Sequence, residues 1–253
     1  MDSYQSLSAK VYNFDKPVGT SFGDIEYYQT TLQTHGASDI LEPAVGTGRM
    51  MIPLLKAGFN VKGFDLSSEM LEYCKINLEM NGFSQSLITQ ASFESFNDAE
   101  RFDALIIPSG TFLLMTDYAE IRNALANFAN HLKASGLLMF DIFFQPQFKP
   151  GNISIKHYDI NNDERITLTM TEADIDYIHQ VTTTYHRYEV WKAHQLERSE
   201  LEIFKLKWLG LEELKLLLTN AGFSNINFIA NYDPKVELSN ESEIITVSAI
   251  KVR

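Results

Sequence analysis

The chain has 253 residues, 45% of them hydrophobic, with 33 Asp and Glu against 21 Lys and Arg and a formal net charge of −12. That length suits one sizeable domain or one domain carrying an insertion, and so acidic a surface opposes a nucleic-acid partner. Cys74 is the only cysteine, which excludes an internal disulfide framework; with no signal segment and no apolar run near ~18 residues, a cytoplasmic protein without a membrane partner is expected.

Asp24 to His35 reads as a helix, with Ile25, Tyr28 and Leu32 on one face and Gly36 as its stop. Asp39 to Pro43 reads as a short buried strand. Arg49 to Ala57 follows as a helix ended by Gly58, with Pro53 near its first turn. Val61 to Phe64 is the second strand. Ser67 to Met80 is a helix capped by Ser67 or Ser68 and ended at Asn81-Gly82. Leu87 to Gln90 and Ala104 to Ile107 are the third and fourth strands, Tyr118 to Leu132 a helix, and Leu137 to Phe143 the fifth strand. Strand and helix alternate throughout, which predicts a parallel α/β sheet.

The pattern changes at Gln145-Pro146. Arg165 to Thr171 alternates apolar and polar residues, as do Val181 to Val190 and Leu201 to Trp208. Ile203 and Phe204 break the last alternation, which predicts a bulge there. Asn152 to Trp208 therefore reads as a three- or four-stranded antiparallel insertion. The α/β pattern resumes with a helix over Leu211 to Ala221, then strands at Ile226 to Ala230 and Ile244 to Ile250 that form an antiparallel hairpin at the sheet edge.

Chemistry concentrates in Glu42-Pro43-Ala44-Val45-Gly46-Thr47-Gly48-Arg49 and in Gly63-Phe64-Asp65-Leu66-Ser67. A glycine turn after a first strand, with an acidic residue closing the second, is how a doubly wound sheet holds an adenosine-containing cofactor. Gly46 and Gly48 let backbone approach a ligand where a Cβ would collide. Asp65 stands where a carboxylate accepts from both ribose hydroxyls, and also where it would cap the next helix. The third glycine of a dinucleotide turn is missing. Glu42 suits a cationic amino group and would repel a pyrophosphate. Both points favour S-adenosylmethionine over a nicotinamide.

These segments resemble the class I S-adenosylmethionine-dependent methyltransferases. Phe102 to Pro108, Leu132 to Leu138 and Leu211 to Phe223 also match, and the resemblance runs over nearly the whole chain. Val11 to Pro17 is similar to the N-terminal lid of the small-molecule branch. The insertion resembles that of sugar-amine N-methyltransferases and glycine N-methyltransferase-like enzymes. The resemblance implies a Rossmann-like seven-stranded α/β sheet with its last strand antiparallel, plus an antiparallel β insertion after the fifth strand. It divides the chain into an N-terminal lid and helix over 1–36, a cofactor-binding domain over 37–144 and 209–253, and a roof for the acceptor site over 145–208.

By position, Glu42 would receive the methionine ammonium, directly or through water. Backbone at Ala44 and Gly46 would line the methionine portion, Asp65 would hold the ribose, and Leu66 and Met70 would flank the adenine. Ser92 stands where an acidic residue usually meets the adenine amino group, and Phe93 keeps the apolar role beside it. Pro108 would lie by the transferred methyl, and Tyr12 would close over the cofactor. No His/carboxylate cluster has metal-ligand spacing, so no metal is expected. Candidates on the acceptor side are Ser109, Thr111, Asp141, His157, Tyr185, His186 and Trp191; none is assigned as a catalytic base.

The expected activity is methyl transfer to N or O of a small molecule, by a monomer or homodimer. The alternatives are a protein of the same fold that binds S-adenosylmethionine or S-adenosylhomocysteine without transfer, and a nicotinamide oxidoreductase.

Overall fold

Apolar strands separated by one-faced helices leave both faces of a sheet to be covered, and the helices fall on both sides. The computed structural model describes residues 6–252. The first five residues of the expected lid and residue 253 of the expected cofactor domain lie outside the described residues. In chain order the elements are α1 (Ser6–Asp15), α2 (Asp24–His35), β1 (Asp39–Pro43), α3 (Met51–Lys56), β2 (Asn60–Asp65), α4 (Ser68–Met80), β3 (Ile88–Gln90), β4 (Phe102–Ile107), α5 (Tyr118–His131) and β5 (Leu132–Ile142). Then come β6 (Ile153–Asp159), β7 (Glu164–Asp176), β8 (Val181–Lys192), β9 (Gln195–Lys207), α6 (Leu211–Asn220), β10 (Phe223–Ala230) and β11 (Ile245–Lys251).

Seven strands form one sheet in the order β10-β11-β5-β4-β1-β2-β3. The order reverses at β1/β4, the place where an open α/β sheet leaves a crevice at its carboxyl ends. Strand β11 runs antiparallel to both neighbours, β10 and β5. One face of the sheet packs on α5 and α6 through Leu125, Phe128, Leu214 and Leu218. The other packs on α2, α3 and α4 through Tyr28, Leu32, Met51 and Leu78.

Local chemistry explains the ends. Ser67 Oγ accepts from Met70 N at 3.1 Å and caps α4, while Gly36 at φ 73° closes α2. The helix expected from Arg49 starts two residues later. Gly48 sits at φ 84°, outside the helical region, and the Arg49 guanidinium is drawn sideways into an ion pair with Asp24 at 2.5 Å.

Strands β6 to β9 form a separate four-stranded antiparallel sheet. The bulge expected at Ile203 and Phe204 is absent: Thr184 pairs with Phe204 and Tyr185 with Ile203 in unbroken register. The irregularities lie at Val190/Trp191 and Glu172/Asp174. The alternation falters because Glu202, 5% exposed, takes an inward position and Ile203, 55% exposed, an outward one. Tyr158, Ile166, Tyr188 and Val190 share a face of this sheet, and Leu7 and Val11 of α1 pack into the same cluster. Lys10 Nζ pairs with Glu164, and Leu7 N donates to Glu200 Oε2 at 3.0 Å, so α1 is fastened to the insertion.

Candidate cofactor site

The site is built on the turn after β1. Ala44, Gly46 and Gly48 all have positive φ (55°, 57° and 84°), so the chain doubles back between the ends of β1 and β2. Val45 N donates to Phe64 O at 3.0 Å. A Cβ on Gly63 would lie 2.9 Å from Val45 Cβ, so the second strand must carry glycine where the turn folds onto it. Asp65 completes the staple: Oδ2 accepts from Gly46 N at 2.8 Å and Oδ1 from Ser67 N at 2.9 Å. Burial raises the Asp65 pKa above the usual carboxylate value, and these backbone N–H groups oppose the rise. The Leu66 N–H also acts on the carboxylate, so three backbone donors leave it capacity for a further donor.

A cavity of ≈ 300 Å³ opens above this turn. Tyr12, Ala44, Gly46, Asp65, Leu66, Met70, Ser92 and Phe93 line it, whereas Glu42, Gly48 and Pro108 do not. A Cβ on Gly46 would meet no protein atom nearer than Ala44 O at 4.0 Å. A Cβ on Gly48 would press on Cys74 Sγ at 3.1 Å and Ile52 Cδ1 at 3.2 Å, so its smallness serves the packing of α3 and α4. Pro108 is buried, and its neighbour Ser109, at φ 62°, reaches the cavity instead.

Glu42 stands behind the lining, 2% exposed, and its Oε2 is buried without a hydrogen-bond partner. Burial pushes its pKa up to about 8, against the attraction of Arg49. Arg49 is 3% exposed; it donates to Thr20 O at 2.7 Å, Asp24 at 2.5 Å and Ser109 Oγ at 2.8 Å, and it hydrogen-bonds Tyr12. Burial opposes its charge, but the Asp24 carboxylate and Tyr12 together outweigh this and hold its pKa above the usual range. Burial also raises the Tyr12 phenol, while Arg49 opposes that rise.

Lys16, Thr111, Leu114, Met115 and Glu120 also line the cavity. Lys16 Nζ lies 5.2 Å from the centroid of the Tyr12 ring, and burial, with Arg49 nearby, lowers its pKa. Lys16 lies one residue past α1 and four after Tyr12; no sequence reading singled it out, and that spacing is the one signal that could have. Glu120 had no such signal, because only the tertiary fold brings α5 to the cavity.

Of the acceptor-side candidates, Ser109 and Thr111 reach the cavity. Asp141 does not. It is fully buried and accepts from Tyr28 (2.9 Å), Ser109 N (2.8 Å), Tyr232 (2.9 Å) and Thr246 (2.8 Å). Burial raises its pKa to about 6, opposed by these donors. His157, Tyr185 and Trp191 alternate onto the face of the four-stranded sheet opposite Tyr158 and Tyr188. His186 lies on the same face as Tyr188, stacked on Phe204 at 4.8 Å between centroids, and burial pushes its imidazole down to about 4. A second cavity of ≈ 460 Å³ lies there, bordered by Gln145, Met170, Thr184, His186 and Phe204. Among the described residues there is no cluster of three metal-ligating side chains, and no helix is long and apolar enough to cross a membrane.

Residues 40–136 match the family described as "Methyltransferase domain". A putative methyltransferase of Geobacillus sp. (strain WCH70) is 25% identical over 218 residues, 84% of this chain and 85% of that protein. The glycine/sarcosine N-methyltransferase of Aphanothece halophytica is 33% identical over 121 residues, which are 46% of this chain and 44% of that protein. The solved structure of the sugar N-methyltransferase KedS8 from Streptoalloteichus sp. shares the fold with a TM-score of 0.79 at 19% identity, over 100% of this chain and 96% of that one. Residues 40–136 are thus a methyltransferase domain, and the relatives and the common architecture support a class I S-adenosylmethionine-dependent methyltransferase, an enzyme whose cofactor is S-adenosylmethionine.

Proposed function

We propose that this enzyme transfers a methyl group to nitrogen or oxygen of a small-molecule acceptor, with an amine favoured. The observation that carries this reading is the Glu42 carboxyl, buried with an unsatisfied oxygen behind a glycine turn that Asp65 holds shut. A buried carboxyl of that kind is costly until a cation joins it. The α-ammonium of the cofactor supplies one, directly or through water. Lys16 faces the same cavity and suits the α-carboxylate; Asp65, with acceptor capacity left, suits a ribose hydroxyl. The cofactor brings an already activated methyl on its sulfonium. The protein's share is to aim a nucleophile along the S–C axis and exclude water.

An amine needs only to be neutral, whereas a hydroxyl needs a base. Among the described residues no histidine lines the cofactor cavity, and His186, with its depressed basicity, is a poor proton acceptor. The acidic surface disfavours nucleic acid as acceptor. KedS8 is named a sugar N-methyltransferase and the Aphanothece relative acts on glycine and sarcosine, which supports a small polar amine. In this reading residues 1–36 act as the lid, 37–144 with 209–253 hold the cofactor, and the four-stranded sheet of 145–208 roofs the acceptor.

The test has two arms. Calorimetry with S-adenosylhomocysteine is expected to show binding. A panel of small amines and alcohols, assayed for S-adenosylhomocysteine release, is expected to turn over with the amines. Tight binding with no turnover on any member would overturn transfer in favour of a sensing role.

A further inference from the structure

Among the described residues, three buried side-chain oxygens lack a hydrogen-bond partner: Glu42 Oε2, Thr47 Oγ1 and Glu120 Oε2. Two are carboxylate oxygens beside one cavity. The cofactor carries two amino groups at its opposite ends, the α-ammonium and the exocyclic 6-amino group of adenine. Glu42 answers the first in the reading above.

The second lacks its usual partner. Ser92 follows β3 at the expected place, but its hydroxyl is committed within its own loop. Ser92 Oγ donates to Ser95 Oγ at 2.9 Å and accepts from Ser95 N at 3.1 Å. Glu94 lines the cavity too, yet its side chain is exposed and Oε1 already accepts from Asn123 Nδ2 at 3.0 Å. Asn123 and Asn127 on α5 grip this loop, the latter donating to Phe93 O at 2.8 Å and Phe96 O at 3.0 Å. Glu120 lies one turn earlier on the same helical face. Glu120 lines the same cavity as Ser92 and Phe93, on the helical face that grips their loop.

We propose that Glu120 of α5 accepts a hydrogen bond from the adenine 6-amino group, in place of the acidic residue missing at position 92. The inference rests on the cofactor reading of the cavity and fixes which purine the site selects. Because Oε2 has no protein partner, removing it costs the ligand-free fold no hydrogen bond.

The experiment compares S-adenosylhomocysteine with its 6-deamino analogue, in which purine replaces adenine, on the full chain. The wild type is expected to prefer the amino-bearing ligand about 10- to 100-fold, the range for a hydrogen bond to a charged acceptor. Glu120→Met keeps the length and removes the acceptor, so the preference should fall to within about threefold while the ligand-free melting temperature holds. Glu120→Gln keeps an uncharged acceptor and should fall between; it carries the test should the Met variant fail to fold. A preference unchanged in both variants overturns the proposal, and a raised acceptor KM alongside would move Glu120 to the acceptor side. A wild type that binds both ligands equally sinks this proposal alone. A wild type that binds neither sinks the cofactor reading with it.

Discussion

Glu42 is the residue where sequence and structure bear most directly on each other. Its position at the end of β1, just before a glycine turn, made it legible, since a dinucleotide turn would not want an anion there. Its electrostatic state was not legible, because burial and the distance to Arg49 belong to the fold. Folded Glu42 keeps its proton to about 8, against an ordinary value of 4.5. Between those limits the folded chain binds more protons than the unfolded one, so this contribution to stability is complete below 4.5 and lost as pH rises through 8. Asp141 adds the same sign over the lower window, from 3.8 to about 6. Glu42→Gln should therefore flatten the fall of melting temperature above pH 6, where Asp141 no longer contributes. Cofactor binding at pH 7 should release about one proton from the wild type and none from the variant. The buffer dependence of the calorimetric enthalpy measures that difference. Lys16 and Glu120 show the opposite limit of sequence reading. Their chemistry is ordinary for surface helices, and only the cavity gives them a task.

Among the elements, α1 has an unusual position. Tyr12 and Lys16 line the cofactor cavity, while Leu7 and Val11 pack on Tyr158, Ile166 and Tyr188 of the four-stranded sheet. The helix thus spans from the cofactor to the proposed roof. Truncating both contacts in Leu7→Ala/Val11→Ala should cost roughly 2–5 kcal/mol of local stability. The two large-sheet clusters do not include these residues, so global melting should move little. Hydrogen exchange in α1 should quicken, and the dissociation constant for S-adenosylhomocysteine should rise about tenfold or more. Unchanged exchange would mean that α1 is held by other contacts. The elements were largely readable because helices such as α5 keep apolar residues three and four apart and glycine follows α2, α3, α4 and α6. The insertion was readable as strands but not as faces. Period-two alternation defines two sides, and only the packing of α1 tells which one looks inward. The misplaced bulge has the same origin: Glu202 reads as an outward residue and lies inward.

For the whole molecule, the excess of acidic groups is the governing number. A net charge of −12 leaves residual repulsion across the folded surface. Raising salt from about 0.01 to 0.15 M shortens the Debye length from roughly 30 to 8 Å and should raise the melting temperature by a few degrees. A flat salt response would show that local pairs such as Lys133 with Asp39 and Asp103 already balance the field. Alternation of strand and helix pointed to the parallel α/β sheet, whereas the reversed last strand was implied by the resemblance to the methyltransferases.

Asp141 gives that topology a further meaning. One carboxyl ties together a helix that precedes the sheet, the lip of the cavity at Ser109, and both sides of the reversed edge. The far C-terminal stretch is therefore not free to drift like ordinary sheet trim. Shortening Tyr232 or Thr246 should therefore be felt at Ser109 and the cavity rim through Asp141, although neither side chain lines the cavity.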